Sequence, residues 1–227
     1  MENGDVILNV KDLQVHFRLD EGLLKAVDGV DYSLRKQQTL GLVGESGCGK
    51  SVSAQAILRI VPKPGEVQGE IWLRRKDGGP PVDLVKLDPQ GDEIRAIRGA
   101  EVGMIFQEPM KAFSPVHTIA NQIMEGILLH TTQDEEEARQ IALDTLARVH
   151  MPNLKQNIDA YPHQLSGGMR QRAMIAMALS CQPSILIADE PTTAVDVTVQ
   201  AQVLLLIKEL QAELGMSVIF ITHDLGV

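Results

Sequence analysis

Short apolar runs alternate with stretches of helical periodicity along most of the chain. Thr39–Val43, Val102–Phe106, Ile185–Ala188 and Val218–Ile221 are continuous rather than alternating, which is how strands covered on both faces of a parallel sheet read. Ahead of them, Val6–Leu13 and Val27–Leu34 alternate roughly, and Gly69–Leu73 runs into a turn-rich stretch through Pro80 and Pro81 to Gly91. These segments predict a smaller antiparallel sheet with a solvent-exposed hairpin. Thr132–Glu135 matches a capping box, and Ala138, Ile141, Ala142 and Val149 follow at helical spacing, so a helix is predicted over 134–150. A second is predicted over 198–214, with Val199, Val203, Leu206, Ile207, Leu210 and Leu214 on one face and Gly215 as its C-terminal cap. The stretch 108–180 has no comparable strand run and reads as a helical insertion.

Composition narrows the function. The 227 residues allow one large domain, or one domain with an insertion, and show no internal repeat. A 44% hydrophobic and 22% charged balance excludes a mostly disordered chain. Aromatics at 3% are too few to stack single-stranded bases, and a net charge of −9 has the wrong sign for binding a phosphodiester backbone, so no nucleic-acid partner is expected. Any phosphate must be bound locally. Cys48 and Cys181 are the only cysteines, and the six histidines lack metal-ligand spacing, so neither a disulfide framework nor a cysteine or histidine metal site is expected. The N-terminus lacks signal-peptide order and no apolar run approaches the ~20 residues of a membrane span, which points to a cytoplasmic chain.

Gly44, Glu45, Ser46, Gly47, Cys48, Gly49, Lys50 and Ser51 satisfy the pattern G-x-x-x-x-G-K-[ST] between a predicted strand and a predicted helix over 51–60. Glycines let the loop turn its N–H groups around an anion, and the helix N-terminus adds the positive end of its dipole. Lys50 would reach the outer phosphates and Ser51 would ligate magnesium. Asp189 and Glu190 end the buried run Ile185–Ala188, where a parallel sheet presents ligands. Asp189 would hold the magnesium shell and Glu190 would polarise an attacking water. Ser166, Gly167 and Gly168 open an apolar helix and offer a second anion site made of N–H groups and a hydroxyl.

Taken in order, these motifs resemble the nucleotide-binding domains of ABC transporters over the whole chain. Gly44-Glu-Ser-Gly, Phe106-Gln-Glu-Pro-Met110, Leu165–Arg172 and Glu190–Gln200 are similar to the dipeptide and oligopeptide importer branch, including Met169 where glutamine is commoner; Val195 departs from the usual leucine. The resemblance implies an α/β P-loop NTPase (RecA-like) core with an N-terminal antiparallel β subdomain and an inserted helical subdomain. It divides the chain into 1–107, 108–180 and 181–227. It also implies that Gln107 senses magnesium and the γ-phosphate, that His223 touches the γ-phosphate, that Asp196 acts in the loop following Glu190, and that Phe17 lies under adenine. Its cofactors would be ATP and Mg²⁺. Its partners would be a second ATPase subunit, homologue or copy, in a head-to-tail dimer, transmembrane permeases and, indirectly, a solute-binding protein, at the inner face of the cell membrane. The function it implies is hydrolysis of MgATP at a composite dimer interface to power uptake of a small solute, with di- or oligopeptides the expected cargo and nickel and oligosaccharides still open; a soluble ABC ATPase of DNA repair or translation is the alternative. The branch continues past the point where this chain ends, so a truncated chain is expected, with apolar surface left exposed on strand 218–221.

Overall fold

The computed structural model describes residues 5–192 and 197–224. In chain order its elements are β1 (Val6–Leu19), β2 (Gly22–Arg35), β3 (Thr39–Val43), α1 (Lys50–Ile57), β4 (Gly65–Leu73), β5 (Val82–Asp83), α2 (Asp92–Ile97), β6 (Val102–Ile105), α3 (Pro109–Ala112) and α4 (Ile119–His130). α5 (Glu135–Arg148), α6 (Leu154–Asn157), α7 (Gly167–Leu179), β7 (Ile185–Asp189), α8 (Val197–Leu214) and β8 (Ser217–Thr222) complete it. The chain forms two compact units, residues 1–98 with 217–227, and residues 99–216.

The first unit holds an antiparallel sheet of order β2-β1-β4-β5. β1 and β2 form one long hairpin that pairs from Leu19 with Gly22 back to Val6 with Arg35. Its two strands therefore reach well beyond the alternating cores 6–13 and 27–34, because the distal half carries exposed Leu19, Leu23 and Leu24 and has no buried face to announce it. Leu8, Leu13, Leu34, Ile71 and Leu73 are buried under the sheet, each stabilising the fold by about 1.5–3 kcal/mol through removal from water. A register shift between Val10 and Leu13 puts Asp12 at φ 44°, and its N–H donates to Asp31 Oδ1 at 2.9 Å. Across from it, a Cβ on Gly69 (φ 97°) would sit 2.3 Å from Asp12 O, so only glycine lets β4 pass this bulge.

β3 and β8 pair in parallel from Thr39 with Val218 to Val43 with Thr222. Two expectations are corrected here. β8 is covered, with Val218, Ile219 and Ile221 buried, whereas Thr39, Gly41 and Val43 of β3 are exposed, Val43 to 49%. An apolar run cannot report on its own whether one or both faces are covered. The helix predicted over 51–60 closes at Ile57, since Arg59 turns left-handed at φ 55°. Arg98 then caps this region, donating to Leu58 O at 2.8 Å, Arg59 O at 3.0 Å and Pro89 O at 2.9 Å.

In the second unit β6 and β7 pair in parallel, Val102 with Ile185 through Ile105 with Ala188, and every residue of both is buried. Helices α4, α5 and α7 pack on one another through Ile119, Ile123 and Ile127, through Ala138, Ala142 and Leu146, and through Met174, Ile175 and Ala178. α7 lies close on β6, because a Cβ on Gly103 would fall 2.4 Å from Ala178 O. Helix α5 starts on Asp134 rather than Thr132. Asp134 Oδ1 accepts from Glu136 N at 2.8 Å and Glu137 N at 3.2 Å, while Thr132 Oγ1 accepts from Asp134 N and donates to Glu137. The longer carboxylate reach satisfies two terminal N–H groups and suits the helix dipole. Asp134→Ala is accordingly expected to cost about 1 kcal/mol, lowering Tm by roughly 2–4 °C in a thermal melt of a chain this size. α8 follows its predicted apolar face, with Val203, Leu206, Ile207 and Leu210 buried and Gly215 at φ 64° after it.

Candidate functional site

In the first unit the parallel register sets the chemistry. Val43 is opposite Thr222, so Gly44 and His223 leave the sheet from the same end of neighbouring strands. Residues 44–49 form the loop, and Lys50 opens α1. Gly47 (φ 82°) and Gly49 (φ 92°) take the left-handed turns that bring the loop back to the helix. Gly49 has a second reason to be glycine, since a Cβ there would lie 2.1 Å from Ala26 O of β2. A Cβ on Gly44 would meet Cys48 Sγ at 2.8 Å. Lys50 Nζ reaches back across the loop to Gly44 O and Glu45 O, both at 2.7 Å, and lies 3.7 Å from Cys48 Sγ. Its ammonium is thereby held inside the turn with exposed Ser46 and Gly47 at the rim. Behind the loop, Tyr32 Oη and Ser53 Oγ are hydrogen-bonded at 2.9 Å, tying α1 to β2; burial pushes the Tyr32 phenol up, which keeps it neutral.

Phe17 sits on the same hairpin, paired with Leu24 and Gly65, and its ring rests against Gly65, where an added Cβ would come within 2.8 Å of Cε1. It is half-buried beside exposed Leu23 and Leu24. His223 is exposed past the end of β8, next to Asp224, whose N–H donates to Thr222 Oγ1 at 3.0 Å.

In the second unit register again does the placing. Ile105 is opposite Ala188, so Gln107 falls beside Glu190, and Gln107 Nε2 donates to Glu190 Oε2 at 2.8 Å. Asp189 and Glu190 are both buried, 4% and 8% exposed, and Glu190 is held left-handed at φ 44°. A non-glycine residue in that region costs on the order of 1–3 kcal/mol and persists only where its surroundings enforce it. Two buried carboxylates at a strand end, one of them bonded to an amide, suit a shell that binds a hard cation and aligns a water. Among the described residues, no group of three or more His, Cys, Asp or Glu side chains could hold a metal by itself, so a cation here would take much of its coordination from phosphate oxygens and water.

Ser166 caps α7, its Oγ accepting from Met169 N at 3.3 Å, and a Cβ on Gly167 would meet nothing within 4 Å. The helix start is therefore open to an approaching group. Asp196 lies outside the described residues. One polar residue escaped the sequence reading: Gln171, 1% exposed, whose Nε2 donates to Pro191 O at 2.6 Å. Its signal was present, since Gln171 falls on the same helical stripe as Met174, Ile175 and Ala178. Near α3 and α4 a groove of about 770 Å³ is lined by Ala112, His117, Gln122, Met124, Leu128 and Leu129 among others, with Met110 and Leu129 exposed to 47% and 72%.

A phosphate loop after a parallel strand, with an acidic strand end, defines a nucleoside-triphosphatase fold of the P-loop class. The family described as ABC transporter matches residues 27–193, and the chain belongs to that family. It is 47% identical over 226 residues to the probable peptide ABC transporter ATP-binding protein y4tR of Sinorhizobium fredii, covering 99% of this chain and 65% of that protein. It is 49% identical over 224 residues to the glutathione import ATP-binding protein GsiA of Shigella dysenteriae, covering 97% of this chain and 35% of that protein. The chain thus spans less than two thirds of either relative. Among solved structures, the ATP-binding cassette MJ0796, a dimer in a post-hydrolysis state bound to ADP and Pi, superposes with a TM-score of 0.82 at 27% identity, covering 97% of this chain and 89% of that one. cbiO1 from Clostridium perfringens, part of a cbiONQ transporter complex, gives 0.72 at 27% identity, covering 97% and 79%.

Proposed function

We propose that this chain is the ATP-hydrolysing subunit of an importer for di- or oligopeptides. The observation that carries the reading is the phosphate loop, whose Gly49 backbone is pressed against Ala26 and whose Lys50 is folded into the turn. The likeness to a probable peptide transporter ATP-binding protein and to a glutathione import ATP-binding protein supports the cargo class. In this reading Gly44–Gly49 give N–H groups to the phosphates, Lys50 neutralises the outer ones, and Phe17 offers a flat apolar face to the base. Ser51, Gln107 and Asp189 would hold magnesium, which when bound supplies positive charge against the phosphate oxygens. Glu190, with one oxygen fixed by Gln107, takes the proton of the attacking water, and His223 and the chain's lysine stabilise charge spreading on the γ-phosphoryl group.

The reading includes partners. Ser166–Gly168 serves the nucleotide bound on a second ATPase in a head-to-tail dimer; the dimeric cassette among the structural neighbours supports this. The groove beside α3 and α4, lined by Met124, Leu128 and exposed Leu129, suits an apolar segment of a permease at the inner face of the membrane, to which a solute-binding protein would deliver cargo. Among the described residues no helix is long and apolar enough to cross a membrane.

A mixing experiment tests the composite site. Ser166→Arg in this chain, assembled with an unmodified ATPase partner, is expected to impair turnover at the site built on the partner's phosphate loop. This chain's own MgATP affinity should stay within about threefold. Loss of that affinity, with the fold preserved by circular dichroism, would show that Ser166 acts in its own site and would overturn the proposal.

A further inference from the structure

Gln171 is an amide sealed inside an apolar helix face, and such a group is retained only where its hydrogen bonds are made. It sits little more than one turn beyond Ser166, the residue that caps α7 and opens the Ser-Gly-Gly segment. At its other end Nε2 donates 2.6 Å to Pro191 O, the carbonyl that directly follows Glu190. Glu190 is in turn the left-handed residue at φ 44°, bonded through its side chain to Gln107 at 2.8 Å. Pro191 has no N–H, so the turn after Glu190 cannot be anchored through that donor, and the carbonyl grip of Gln171 restrains it from the opposite side.

We infer that Gln171 is a positioning residue that joins the start of helix α7 to the Pro191 carbonyl just after Glu190, so that a ligand seated on Ser166–Gly168 sets the aim of this chain's own carboxylate. The inference rests on the reading of Glu190 as the base and of Ser166–Gly168 as the contact to a partner's nucleotide. Gln171 is 1% exposed, and its amide is spent on Pro191 O. It acts through the 190–191 turn, holding in place a strained φ that would otherwise relax. The one link makes two ATP sites of a dimer responsive to each other: a nucleotide on the partner tightens α7, and α7 tightens Glu190.

The test uses the assembled transporter and steady-state hydrolysis of MgATP. Gln171→Met keeps size and shape but removes the donor. It is expected to lower kcat by roughly 10–100-fold, the scale on which sub-ångström misplacement of a reacting group acts, with KM for MgATP within about twofold. In a Glu190→Gln background the same change is expected to have no further effect, because the group it positions is already gone. An unchanged kcat for Gln171→Met, or an equal loss in both backgrounds, would overturn the inference. Should Gln171→Met fail to fold, Gln171→Asn replaces it: it keeps the amide but is one methylene too short to reach Pro191 O, so the same slow turnover with little change in KM is expected. A wild-type kcat for Gln171→Asn would equally overturn it. Failure of the underlying reading looks different, since Glu190→Gln alone would then turn over normally.

Discussion

Glu190→Gln is expected to bind MgATP as tightly as the unmodified chain and to turn it over 10²–10⁴-fold more slowly, on the order attributed to a positioned general base. The argument is geometric. Glutamine has the same shape, so the hydrogen bond to Gln107 can re-form by rotation of the two amides, and the left-handed backbone is undisturbed. What is lost is the capacity to accept a proton from water. Binding measured by equilibrium dialysis and turnover measured by phosphate release should therefore separate. Near-normal turnover in the intact assembly would remove Glu190 from the mechanism.

Gly49→Ala should be the most damaging small substitution in the phosphate loop. The methyl group would be placed 2.1 Å from Ala26 O on a strand backbone that cannot swing aside, at a φ of 92° that L-residues avoid. Either the loop lifts off β2 or α1 shifts, and in both cases the N–H groups no longer converge on one anion. Nucleotide affinity should fall by at least about 100-fold, read as loss of the roughly 2.7 kcal/mol of protection that ligand at 100 times its Kd confers. Gly47→Ala is the control. Its φ of 82° is equally unfavourable but an added Cβ meets nothing within 4 Å, so only the local strain is felt and protection by MgATP should be reduced rather than lost. Equal effects for the two would mean that close approach to Ala26 does not shape the loop.

The sequence made some of this legible for identifiable reasons. β6 and β7 are read almost to the residue because both faces are buried, leaving a continuous apolar run, and α8 is legible through its stripe and Gly215. The phosphate loop is legible because backbone geometry there restricts residue type. The far half of the β1–β2 hairpin is not, since Leu19, Leu23 and Leu24 stay exposed and the pattern that marks a buried face is absent. The cap at Asp134 was misplaced by two residues because Thr132 fits the same motif, and only the geometry shows which oxygen reaches Glu136 N. Pairing of Gln107 with Glu190, 83 residues apart, and of Gln171 with Pro191 depends on register and helix placement, which no local window contains. The family resemblance supplied roles for Gln107, but not the bond that holds it.

Helix α7 is fastened at both ends. Near its start Gln171 grips the carbonyl of Pro191, and near its finish Ala178 O lies so close to β6 that residue 103 has no room for a side chain. A rod clamped in this way cannot slide along its own axis without dragging either the 190–191 turn or the strand that leads to Gln107. On the inference drawn above, a displacement at the Ser166 end would reach the 190–191 turn through Gln171, and so the carboxylate that Gln107 holds.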